Sequence, residues 1–69
     1  MENSWEEDFA IRVKCVRGVV VVSANREGLL SLARQFAELA EAAPGSHIHY
    51  DEHNSLEEGS TEMTVERTP

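Results

Sequence analysis

The chain has 69 residues, one cysteine and a formal charge of −7, and these three properties exclude several classes of protein. A lone cysteine leaves no intrachain disulfide, and the N-terminus is acidic where a secretory signal would be basic. No apolar run approaches the roughly 20 residues that span a bilayer, and the negative charge repels phosphate backbones and anionic lipid. We therefore expect a small cytoplasmic protein that binds neither nucleic acid nor membrane.

The N-terminal third predicts an arm followed by a β-hairpin. Residues 1–8 are charged and lack periodicity, so we expect a flexible acidic arm. Apolar and polar side chains alternate over residues 9–15, which indicates a half-buried strand and places Cys15 in the core. Gly18 can adopt the positive φ of a tight turn, and four valines follow it at residues 19–22.

The valine run at residues 19–22 is apolar on both faces of its strand. Such strands are usually central and covered on both sides, whereas one helix covers only one side. We expect a second copy of the chain, a partner protein or Trp5 of the arm to provide the other cover. Alternatively, two of the valines are simply exposed.

A helix is predicted from Arg26 to about Ala42. Asn25 is a favourable N-cap, while Pro44 and Gly45 end the helix. Apolar residues recur at the spacing of one helical face, which predicts the side that packs on the sheet. This predicted stripe consists of Leu29, Leu32, Ala33, Phe36, Ala40 and Ala43.

The last third predicts two more strands. The first begins at residue 46 or 47, with Ile48 and Tyr50 inward, and should run parallel to the valine strand in a right-handed crossover. A polar loop leads to the second, over residues 61–67. The predicted fold is α+β, a single ββαββ domain over residues 9–67: a single-layer four-stranded mixed sheet with one helix on one face.

Potential metal ligands alternate along the third strand, where His47, His49, Asp51 and His53 share a face. Neutral imidazoles and a carboxylate can bind zinc, but same-face neighbours on a straight strand are about 6.6 Å apart. An adjacent pair could hold one metal ion, whereas all four residues could do so only if the strand bends. We prefer the interpretation that these are solvated surface residues.

No residue pattern indicates catalysis. Cys15 has the phase of the core, the serines lie at turns, and the glycines are scattered singly at positions 18, 28, 45 and 59. One layer of cover also leaves little volume for an enclosed substrate pocket. The sequence therefore predicts a protein that is not an enzyme and carries no cofactor.

Three stretches, residues 23–33, 45–51 and 54–62, carry the sequences SANREGLLxLA, GSHIHYD and NSLEEGSxE. They resemble the bacterial family of immunity protein 32, and the similarity extends over about residues 18–67. This resemblance implies a small cytoplasmic antidote that is encoded beside a polymorphic toxin and protects its producer by binding that toxin. It implies no catalytic residues.

The acidic second half of the chain is consistent with that role. Six acids and no lysine or arginine lie between Asp51 and Glu66, so this segment would be steered onto a basic toxin that attacks nucleic acid. Two alternatives are a metal-binding domain that uses His47, His49 and Asp51, and a homodimeric accessory domain with the valine face as its interface. The predicted partner-binding residues are His47, His49, Asp51, Glu52, Glu57 and Glu58.

Overall fold

The computed structural model describes residues 5–69, and the first four residues of the predicted arm lie outside this range. Two strands, a helix and two strands follow one another, which confirms the α+β class and the ββαββ order. Within residues 5–69, no helix is long and apolar enough to cross a membrane. The elements are β1 (Ile11–Val16), β2 (Val19–Ala24), α1 (Arg26–Ala40), β3 (His47–Tyr50) and β4 (Met63–Glu66).

The first two strands form the predicted hairpin. Arg17 and Gly18 both have positive φ, 51° and 77°, which is the conformation of a two-residue type I′ turn. This turn sets Val16 opposite Val19, and the antiparallel register continues to Ile11 opposite Ala24.

The prediction of a single four-stranded sheet was wrong. The strands form two separate antiparallel pairs, β1 with β2 and β3 with β4. The loop before β4 takes the outer edge of β1, because the amide of Glu57 donates to Ile11 O at 2.8 Å and that of Thr61 to Val13 O at 2.7 Å. Among residues 5–69, β3 does not pair with β2, and β2 is an edge strand.

Asn25 caps the helix as predicted and also ties its start to the preceding chain. Its Oδ1 accepts from the amide of Gly28 at 2.8 Å and from that of Ala10 at 3.0 Å, while its Nδ2 donates to Asp8 O at 2.9 Å. The helix ends at Ala40, two residues before the predicted end.

The buried face of α1 is rotated from the predicted stripe. Leu32 is buried, but Leu29 is 54% exposed and Phe36 is 40% exposed, while Ser31 and Gln35 are fully buried. Both polar side chains are hydrogen-bonded. The Ser31 hydroxyl accepts from the Glu6 amide and donates to Glu27 O, each at 2.8 Å, and Gln35 Oε1 accepts from the Tyr50 hydroxyl. The helix therefore leaves an apolar face open.

The core lies between the helix and the inner faces of both hairpins. Trp5 packs against its edge: the indole stacks on Phe9 at 4.3 Å between ring centroids and meets Tyr50 edge-on at 6.2 Å. Cys15 is exposed, contrary to prediction, because it lies at the turn end of the hairpin, where Val19 and Val20 are exposed too. The buried apolar residues are Ile11, Val13, Leu32, Leu39, Ile48, Tyr50 and Leu56.

Candidate functional site on the acidic loop

Residues 51–62, here called the acidic loop, connect β3 to β4 and lie against the edge of β1. Asp51 organises the start of the loop, since its Oδ1 accepts from the amides of His53 at 2.9 Å and Asn54 at 3.0 Å. The backbone carbonyl of Asp51 also accepts from the amide of Leu56 at 2.9 Å. Leu56 is buried, so the loop is anchored in the core.

The second half of the loop is fastened by polar contacts. Glu52 Oε2 accepts from the Gly59 amide at 2.9 Å, and the Lys14 ammonium donates to Gly59 O at 2.6 Å. Ser60 Oγ accepts from the Val13 amide at 3.2 Å. The carboxylate of Glu52 thus shapes the loop, whereas Glu57 and Glu58 are exposed.

His49 is the centre of a small cluster beside the loop. Its Nε2 lies 3.3 Å from Asp51 Oδ2 and 3.7 Å from Glu62 Oε1. Its Nδ1 lies 3.0 Å from the hydroxyl of Thr64, the residue directly opposite on β4. Because Asp51 Oδ1 is held by the loop backbone, its Oδ2 is the oxygen that faces the imidazole.

This cluster has the composition of a divalent-cation site. One ligand atom from each of His49, Asp51 and Glu62 lies within 4.8 Å of the others. Ligands at about 2.0 to 2.1 Å from a tetrahedral zinc ion are separated by roughly 3.4 Å, so the His49–Asp51 spacing already fits and Glu62 needs a small shift. The same spacing suits an imidazolium paired with two carboxylates.

The structure brings together only part of the predicted ligand set. His47 is exposed on the same strand but belongs to no cation cluster found among the described residues, and it faces Glu66 across the hairpin. His53 lies in the acidic loop beyond the end of the strand. Glu62 was missed because the sequence pattern does not reveal the β3–β4 register that brings it to His49.

Within residues 5–69, the polar groups described above lie on an open loop and strand face. The family model for immunity protein 32 matches residues 19–68, well over half of the chain. The chain belongs to this family. No curated protein and no solved structure matches it.

Proposed function

We propose that this chain is an immunity protein that neutralises a cognate bacterial toxin by binding it through the acidic loop, without catalysis of its own. The family match over residues 19–68 carries this proposal. The loop supports it, because residues 51–62 contain five acids and no lysine or arginine. Such a surface is complementary to the basic surface of a toxin that acts on nucleic acid.

The proposed partner-binding residues divide into two roles. Glu57 and Glu58 are exposed and would attract the partner from a distance. Asp51 and Glu52 hold the loop backbone through their hydrogen bonds and would keep those charges in place. The two remaining residues, His47 and His49, are exposed on the adjoining strand and would extend the contact surface.

Replacing Glu57 and Glu58 together with glutamine should slow association with the toxin several-fold at low salt, because exposed interfacial charges act mainly on the association rate. Glu38 and Glu41, changed together to glutamine, are the control, since this pair removes the same charge from α1 and its C-cap. Stopped-flow or surface plasmon resonance gives the rates. Equal association rates for the two double variants would refute the role of the loop.

A second candidate function is binding of a transition-metal cation at His49, Asp51 and Glu62. The spacing of the three ligand atoms favours it. The contact between His49 Nδ1 and Thr64 adds support, because metal-ligating histidines usually hydrogen-bond through their second nitrogen.

Zinc titration followed by histidine NMR tests whether the chain binds a metal ion at this cluster. A metal site should take up one equivalent of zinc and shift the His49 resonances, and His49→Ala should abolish uptake. His47→Ala is the matched control, because this histidine is exposed on the same strand face. Absence of stoichiometric uptake, or equal loss in both variants, would exclude the site.

A further inference from the structure

The outer edge of β2 carries backbone groups that point away from β1. The amide of Asn25 donates to Ala10 O at 3.1 Å, which makes this a hydrogen-bonded pair and fixes the alternation along the hairpin. By the register, Val19, Val21 and Ser23 then bond to β1. The amides and carbonyls of Val20 and Val22 point outward, to an edge that no described strand occupies.

This edge lacks the features that usually prevent strands from associating. Exposed edges are commonly protected by charges, prolines or bulges, and residues 19–22 are four valines in regular register. Their exposed fractions are 59%, 62%, 44% and 40% in chain order. The opposite edge of the same hairpin is covered by the acidic loop through Glu57 and Thr61. Residues 5–69 thus cover one edge of the hairpin and leave the other open.

An apolar groove adjoins the open edge. Val22 is opposite Val13, and cross-strand partners share a sheet face, so Val22 is on the face of the buried Val13, towards α1. The groove has a volume of about 410 Å³, and its wall combines Val22 with the exposed apolar face of the helix and one β4 residue. The lining residues are Val22, Leu29, Leu32, Ala33, Phe36 and Met63.

We propose that a second copy of this chain occupies the β2 edge, with the two β2 strands antiparallel about a two-fold axis at Val21. In that register Val20 of each copy is opposite Val22 of the other, and both have outward backbone groups. Two identical strands therefore satisfy each other's donors and acceptors. Residues 19–23 carry no charge, so no like charges meet across the new ladder.

Charge and area both favour a second copy. The acidic loop lies along the β1 edge, one strand away from the proposed contact, so the two loops of a dimer stay apart and exposed. Seven large apolar residues of β2 and α1 are 40% to 62% exposed. Covering them would remove roughly 350 Å² of apolar surface per copy, most of the apolar share of a standard interface of about 800 Å² per partner.

Sedimentation equilibrium on the purified full chain, from micromolar to millimolar concentration, tests the dimer. Val21→Lys places two ammonium groups directly opposite each other and should raise the dimer dissociation constant at least tenfold. Val16→Lys is the matched control, because Val16 is an exposed valine of β1, one strand from the edge, and this variant should dimerise like the wild type.

Val20→Pro provides a second test that adds no charge. It removes only an outward-pointing amide, so β1 pairing is retained while the dimer ladder loses two bonds. Circular dichroism checks that each variant is folded. A wild-type protein that stays monomeric across the concentration range would overturn the proposal. This holds even if its β2 edge binds a strand of a different protein. Wild-type dimer affinity in both edge variants would do the same.

Discussion

Replacing Gly28 with alanine should lower the free energy of unfolding by about 2 kcal/mol, although the same change stabilises most exposed helices. The added Cβ would lie 2.6 Å from Ala10 O, 2.9 Å from Ile11 Cγ1 and 3.1 Å from Ala24 Cβ. The nearest of these atoms belongs to the backbone. Ala10 forms two hydrogen bonds with Asn25, so its backbone cannot move away from the added Cβ without disturbing the helix cap.

Urea denaturation of the Gly28→Ala variant measures this effect. Ala37→Gly is the control, since this residue is exposed within α1 and should lose only the roughly 1 kcal/mol of helix propensity. Together the two variants would show that alanine is preferred at the exposed position 37 and glycine at the closely packed position 28. A Gly28→Ala variant as stable as the wild type would contradict the packing of α1 against residue 10.

Between pH 10 and 12 the free energy of unfolding should fall by roughly 2 kcal/mol because of Tyr50. Burial raises the pKa of the Tyr50 hydroxyl from 10.0 to about 12. The unfolded chain ionises at the lower value, so the contribution is fully present below pH 10. It is lost as the pH rises through the folded pKa, because only the unfolded state releases the proton in that interval.

Tyr50→Phe isolates this contribution, since Tyr50 is the one tyrosine of the chain. The variant loses the hydrogen bond from the hydroxyl to Gln35 Oε1 at 2.8 Å and should be about 1 kcal/mol less stable at neutral pH. The difference between wild type and variant should then shrink or reverse above pH 10. Parallel stability curves for the two proteins up to pH 12 would show that the hydroxyl is not buried in the native state.

The local elements were predictable because their signals are local. Alternation over residues 9–15 correctly placed Ile11 and Val13 on the buried face, although not Cys15, and Asn25 marked the start of the helix. Sheet pairing was not predictable in the same way. It depends on backbone bonds from Glu57 and Thr61 to β1, and these residues belong to a loop without periodicity. Non-local bonds of this kind decide which edge is covered.

The buried helix face was mispredicted for a chemical reason. Ser31 and Gln35 rank as surface residues by type, yet both are fully buried because specific partners satisfy their hydrogen bonds. Leu29 and Phe36 were assigned to the core and are instead exposed beside the open β2 edge. The same rotation of the helix that buries two polar side chains creates the apolar groove.

The candidate site was predictable in composition but not in arrangement. His49 and Asp51 were identified from their alternation on one strand, and they do lie together. Glu62 joins them through the β3–β4 hairpin, although it lies 13 positions after His49 in the chain. The hydrogen bonds that Asp51 and Glu52 make within the loop leave no periodic signal in the sequence, since they depend on the turn geometry.

Toxin neutralisation is tested most directly by mixing the purified chain with the toxin domain proposed as its cognate partner. We expect a stoichiometric complex in calorimetry and complete loss of toxin activity at equimolar protein. A toxin that remains fully active, with no heat of binding at micromolar concentrations of both proteins, would contradict the proposed function.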